Sequence, residues 1–165
     1  KDRFSQIIIR NIETSSNQTV SVLGWAFKKD TNDSRESSSI SVTSNMLLKG
    51  LTVNVYDPLI KINQIYHDIT TYLEFKNINQ KNISKLLQKL TVNDNLNHCL
   101  IETDAIAFLT EWDIFLDIEW SKFSKNQHNK SKPKIFDGRG IINQEHVSSL
   151  GYQIYQIGNG DNTIN

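Results

Sequence analysis

Cysteine occurs once in 165 residues, as Cys99, so no intrachain disulfide can form and nothing in the chain speaks for a secretory compartment. The cytosol is the expected location. An excess of charge is equally lacking: eighteen Lys and Arg are matched by eighteen Asp and Glu. That balance gives no electrostatic reason to expect a nucleic acid, and no basic run addresses a membrane surface. No apolar stretch approaches the roughly 20 residues needed to cross a bilayer. No signal peptide is visible, and Lys1 in place of Met leads to the expectation of a fragment. The four histidines, His67, His98, His128 and His146, are scattered without metal-ligand spacing, so no metal site is expected. Sequons such as Asn17-Gln18-Thr19 and Asn82-Ile83-Ser84 are then expected to be idle.

What is present is periodicity. The length suits one domain. Phe4, Ile7, Ile8 and Ile12 stand at helical spacing, the end of a helix followed by a polar loop to Thr19. Val20 and Val22 alternate as a strand into Gly24, and Lys28, Lys29, Asp30, Asp33, Arg35 and Glu36 crowd the loop beyond. Asp33 or Ser34 is expected to cap a helix begun by Arg35, Glu36 and the serines, aiming backbone N–H groups at an anion. Ile40, Thr43, Met46 and Leu47 share a face, Gly50 stops the helix, and Leu51, Val53 and Val55 alternate toward Asp57-Pro58. Strand, helix and strand in this space make a βαβ unit with parallel pairing.

From Leu59 to Leu96 the pattern weakens, and a peripheral excursion is expected, with one short helix carried by Ile83, Leu86, Leu87 and Leu90. Order returns at Leu96, Cys99 and Leu100, before the apolar run Ala105 to Leu109, suited to a buried parallel strand with Thr110-Glu111-Trp112 at its carboxyl end. Phe115, Ile118 and Phe123 suggest short helical turns, and residues 126–133 a polar loop. Lys134 to Phe136 reads as a strand ending in Asp137-Gly138-Arg139-Gly140, and Gly151 to Ile157 as a last strand before a tail, 159–165, expected to be disordered. The fold class is α/β, three layers and Rossmann-like, with a mainly parallel sheet flanked by helices. The glycine pattern of a dinucleotide cradle is incomplete, because Trp25-Ala26-Phe27 follow Gly24. Asp57, where a ribose reader would stand, is read as a turn residue before Pro58.

The run Gly24-Trp25-Ala26-Phe27-Lys28-Lys29-Asp30-Thr31 with Asp33-Ser34-Arg35-Glu36-Ser37-Ser38, then Thr110-Glu111-Trp112-Asp113-Ile114-Phe115, then Ile135-Phe136-Asp137-Gly138-Arg139, carries a resemblance. It is to the C-terminal UDP-sugar-binding domain of the UDP-glucose 6-dehydrogenases, in the UDP-glucose/GDP-mannose dehydrogenase family. The likeness implies that 1–19 is the end of a connecting helix and linker and that 20–158 is the UDP-sugar-binding domain. The N-terminal and central parts, which hold most of the NAD and the catalytic cysteine, lie outside this chain. The whole would be an NAD-dependent homo-oligomer oxidising UDP-glucose to UDP-glucuronate, and this piece alone would be inactive. A sister dehydrogenase for UDP-N-acetyl sugars or GDP-mannose, and a non-catalytic nucleotide-sugar-binding or assembly module, are the competing readings.

Residue by residue, the resemblance implies that Phe27 and Lys28 contact the UDP-sugar, Phe27 largely through backbone and Lys28 through its ammonium, which would also steady an oxyanion. It implies a catalytic part for Asp33, in ordering water or moving protons, an NAD contact for Arg35 and a substrate contact for Arg139. Without it, Lys28 and Lys29 are a solvated pair, Asp33 a helix cap and Arg35 half of a surface ion pair. Gly138 is expected to turn the backbone so that Arg139 projects, Trp112 to pack the edge, Lys29 to be exposed, and Cys99 to be a small apolar core residue. Asn32 stands where relatives commonly have glycine and is expected to keep the turn by a left-handed backbone.

Overall fold

A computed structural model describes residues 2–12, 18–125 and 131–157. The linker 13–17, most of the polar loop 126–133 and the tail 159–165 thus lie outside the described residues. Six strands form one sheet: β1 (Thr19–Leu23), β2 (Thr52–Tyr56), β3 (Leu90–Asn93), β4 (Ala105–Phe108), β5 (Lys134–Asp137) and β6 (Ile154–Gln156). Their spatial order is β3-β2-β1-β4-β5-β6, and every pair is parallel. β1 is the central strand; Val22 lies opposite Val55 on one side and Ala107 on the other. Helices flank the sheet, so strands β1 and β4 are buried on both faces and read as runs rather than alternations, the mark of a parallel sheet. The Rossmann-like α/β architecture is the one the sequence indicates.

The helices are α1 (Asp2–Ile12), α2 (Ser38–Leu48), α3 (Ile62–Phe75), α4 (Gln80–Leu87), α5 (Leu96–Cys99) and α6 (Gln144–Ser149), with 3-10 helices at Asp113–Asp117 and Trp120–Lys125. α1 buries Phe4, Ile8, Ile9 and Ile12, and α2 packs between α1 and α3. Beyond β4 a chain of edge-on and tilted rings, Tyr56, Phe115, Phe108, Trp120 and Tyr152, fills the core under the 3-10 segment.

Four expectations are corrected here. The stretch Leu59 to Leu96 is not an excursion with one short helix but a complete second crossover: α3, α4 and the edge strand β3. In α3 the buried residues Ile65, Ile69 and Leu73 fall every fourth position, and the polar residues between them hide the stripe. Leu90 belongs to β3, opposite Val53, rather than to the helix of Ile83. The helix after the charged loop is capped by Ser37, whose side chain accepts from the Ser39 amide, and not by Asp33 or Ser34. Glu36 takes a left-handed φ of 62°, so no helix can begin there. The left-handed residue of the lysine turn is Asp30, at φ 62°, and not Asn32.

Candidate functional site

Binding residues of open parallel sheets gather where strands end. Here that edge is built by three loops: 24–37 after β1, Leu109 to Trp112 after β4 and Gly138 to Ile142 after β5. They are tied to one another directly. Gly24, at φ 95°, brings the first loop so close to the second that a Cβ there would lie 2.4 Å from Thr110 Cβ. Thr110 Oγ1 donates to the Ala26 carbonyl at 2.6 Å. Lys29 Nζ meets Asp113 at 2.9 Å, which raises the lysine's pKa, and Glu111 Oε1 lies 3.4 Å from the Lys29 amide. Lys29 is therefore a half-exposed tie between loops rather than a free surface charge.

Arg139 joins the third loop to the other two. Its Nε donates to the Leu109 carbonyl at 2.7 Å and its Nη2 to the Phe27 carbonyl at 3.2 Å, with Glu111 Oε2 3.5 Å from Nε. Gly138 contributes by close packing rather than by a sharp turn. Its φ is not positive, and a Cβ would sit 3.0 Å from the Phe108 carbonyl and 3.4 Å from the Phe4 ring. The positive φ falls on Gly140, at 70°.

Between these loops opens a cleft of about 280 Å³, lined by Phe4, Phe27, Val42, Leu109, Arg139 and Ile157 among others. It offers apolar walls, a half-exposed aromatic ring, one guanidinium and the Glu36 carboxylate, a lining suited to a flat ring that carries both an anion for Arg139 and hydrogen-bond donors for Glu36. Phe27 and Arg139 thus line one cleft. Lys28 follows Phe27 directly and is exposed, with no hydrogen bond or ion pair to it among the described residues. Lys28, Asp33 and Arg35 are not among the residues that line this cleft.

Asp33 and Arg35 face each other instead. Arg35 Nη2 is 2.7 Å from Asp33 Oδ2, Nε is 3.0 Å from Oδ1, and the Arg35 amide donates to the same Oδ1 at 2.9 Å. The guanidinium and amide hold the Asp33 carboxyl down at about 2, and the carboxylate in turn raises Arg35. This is the surface pair that composition alone suggests. The Asp33 carbonyl also accepts from the Phe27 amide at 2.9 Å, closing the loop on itself.

Two site-building residues escape a reading by motif. Asp57 and Asp137 end β2 and β5 in the same way: Oδ1 accepts the amides two and three residues on, Leu59 and Ile60 in one case, Arg139 and Gly140 in the other. Oδ2 then reaches outward. Asp57 takes the Trp25 and Ala26 amides and the Trp112 indole, and Asp137 takes the Ile142 amide and the Gln156 side chain. Asp57 is thus more than the turn residue expected before Pro58. The readable signal was an aspartate directly before Pro58 or Gly138, at a strand end. Trp112 is the packing residue anticipated. Cys99 is fully buried, and burial pushes its thiol up to about 12, which makes it a core residue and not a nucleophile. Among the described residues, no group of three His, Cys, Asp or Glu could hold a metal, and no helix is long and apolar enough to cross a membrane.

A sequence profile of the UDP-glucose/GDP-mannose dehydrogenase family, UDP binding domain, matches residues 21–144. The chain is similar to UDP-glucose 6-dehydrogenase of Drosophila melanogaster, 32% identical over 160 residues that cover 96% of this chain and 32% of that protein. It is similar also to UDP-glucose 6-dehydrogenase 4 of Arabidopsis thaliana, 32% identical over 164 residues, 96% of this chain and 33% of that one. The chain therefore spans about a third of the length of the curated relatives it matches. Among solved structures, an NDP-N-acetyl-D-galactosaminuronic acid dehydrogenase from Methanosarcina mazei Go1 superposes with a TM-score of 0.67 at 22% identity, covering 95% of this chain and 28% of that one, a likeness of fold.

Proposed function

The chain belongs to the UDP-glucose/GDP-mannose dehydrogenase family, as its UDP binding domain, and from that premise we propose that it forms the nucleotide-sugar side of a UDP-glucose 6-dehydrogenase. The whole enzyme would be a cytosolic homo-oligomer that oxidises UDP-glucose to UDP-glucuronate with two NAD. NAD and the nucleophile would be supplied mainly by the parts of the enzyme outside this chain, and this chain alone turns nothing over.

The observation that carries the reading is the bond from Arg139 Nη2 to the Phe27 carbonyl, 3.2 Å, which ties the loop after β5 to the loop that bears Lys28. Arg139 and Phe27 thereby share the cleft, and Lys28 is the next residue along the same loop. A diphosphate asks for a pair of cations: a guanidinium that can grip two oxygens and an ammonium free to follow developing charge. In a site closed over substrate, the Lys28 ammonium would stabilise the alkoxide left when the sugar hydroxyl gives up its proton, before its hydride passes to NAD and the carbonyl forms, and, later, the oxyanion of thioester hydrolysis. Asp33 is proposed to order water or move a proton in those steps, and it can do so only as far as Arg35 releases it. Arg35 would exchange the Asp33 carboxylate for a phosphate of NAD, a like-for-like swap of anions.

Steady-state kinetics of the whole enzyme test this. Lys28→Ala should lower kcat on the order of 100-fold with the fold intact, the usual cost of one oxyanion contact, whereas Arg139→Ala should act mainly through KM for the sugar nucleotide. Unchanged turnover in Lys28→Ala would reject its role. Preference for a UDP-N-acetyl sugar or GDP-mannose over UDP-glucose would move the assignment to a sister enzyme. Binding of UDP-sugar without NAD consumption by the whole protein would leave a non-catalytic module.

A further inference from the structure

Asp57 gathers five N–H donors on one buried carboxylate, and three of them come from outside its own turn. Oδ2 accepts from the Trp25 amide at 2.6 Å, the Ala26 amide at 3.0 Å and the Trp112 indole at 3.0 Å. Oδ1 accepts from Leu59 and Ile60, each at 2.9 Å. The amides of Trp25 and Ala26 are the first after Gly24, at the end of the central strand, beside the point where the strand order reverses between β1 and β4. In a sheet of this order those are the backbone N–H groups that would be offered to a phosphate. Here they are occupied by an anion belonging to the chain itself. The crevice is shut from its other wall as well, by Thr110 packed on Gly24 and bonded to the Ala26 carbonyl.

We propose that Asp57 is an internal anion that fills the phosphate position of the first strand-to-helix turn, so that the turn cannot take a dinucleotide and is held instead in the one conformation that directs the Phe27 carbonyl to Arg139. Asp57 is in this sense a positioning residue. It reaches the cleft through Trp25 and Ala26, the two residues before Phe27, and through Trp112 on the facing loop. A carboxylate is required, not merely an acceptor. Asn has one oxygen, so in either orientation its Nδ2 would face N–H donors, those of Leu59 and Ile60 or those of Trp25 and Ala26. The filling of the turn stands independently of the enzyme's identity, whereas the positioning of the substrate loop rests on the function proposed above.

The filling is tested in the ¹⁵N-labelled chain with formate as the probe. In Asp57→Ala, formate should shift the Trp25, Ala26, Leu59 and Ile60 amides and the Trp112 indole saturably, and leave the wild type unmoved. Absence of a saturable response in the folded variant overturns the filling. Should Asp57→Ala not fold, Asp57→Asn decides. Amide exchange at one of the two donor pairs should accelerate on the order of 5- to 10-fold while the β1 amides keep their protection, and unchanged exchange at both pairs overturns the proposal. In the whole enzyme, Asp57→Asn should lower kcat/KM on the order of 100-fold, as for other small misplacements of a binding loop. The change should lie in KM for UDP-glucose with KM for NAD unchanged, and formate should restore part of the loss in Asp57→Ala. Wild-type kinetics in both variants would remove the positioning role. A wild-type enzyme inert toward UDP-glucose would strike the functional proposal and leave the formate and exchange results to stand by themselves.

Discussion

At the scale of single residues, the edge of the sheet is organised by carboxylates used in opposite ways. Asp57 and Asp137 are buried and saturated with N–H donors, so they shape loops, whereas Asp33 is partly exposed and paired with an exposed side chain that can leave. That difference is measurable. The Asp33 carboxyl should titrate at about 2 rather than at its ordinary 3.8, as read by carboxyl ¹³C shifts, and Arg35→Ala should return it toward the ordinary value. The sign follows from linkage: a depressed folded-state pKa adds stability that is present above 3.8 and is lost as pH falls toward about 2. A titration unchanged by Arg35→Ala would show that the pair does not persist in solution, which would make Arg35 free for NAD from the outset. Motifs pointed to Lys28, Arg35 and Arg139, but a motif names residues one at a time. The Asp33–Arg35 pair lies two residues apart and is the one composition suggests, whereas the hold of Arg139 on the Leu109 and Phe27 carbonyls is a matter of distant groups meeting, and no spacing rule contains it.

At the scale of elements, α3 is a helix held by three residues. Ile65, Ile69 and Leu73 are fully buried, while Ile62 and Phe75 at its ends are exposed. Beside this narrow stripe Tyr66 packs partly against the core, so truncation in the middle falls on few neighbours. Ile69→Ala should cost about 2–5 kcal/mol in chemical denaturation, through the lost methyl groups and the cavity left; a loss under about 1 kcal/mol would mean that α3 repacks. The same thinness explains why the crossover from α3 to β3 is hard to read from sequence. Polar Asn, Gln and Thr separate the buried positions, and the edge strand β3 has only Leu90 fully buried. The central strands, covered on both faces, show their apolar runs openly, as β4 does from Ala105 to Phe108.

For the molecule as a whole, a Rossmann-like sheet does not entail a dinucleotide site. The order β3-β2-β1-β4-β5-β6 is that of the nucleotide-binding folds, yet the amides that would serve a phosphate are spent on Asp57. Calorimetric titration of NAD into this chain should therefore give no saturable heat. A micromolar Kd would mean that the turn opens, and that Arg35 and the first turn together hold the cofactor without help from the parts outside this chain.

What the sequence determined by itself is whatever depends on residues close together along it: apolar runs long enough for buried strands, the βαβ unit from Thr19 to Tyr56, and the charged loop beyond Gly24 with its family signature. Tertiary structure alone decided the rest. Asp57 lies 32 residues from Trp25 and Arg139 lies 112 from Phe27; only a parallel sheet that sets the ends of β1, β2, β4 and β5 side by side can make such distant groups share a hydrogen bond, and with it decide which N–H groups are taken and which cations are left for a ligand.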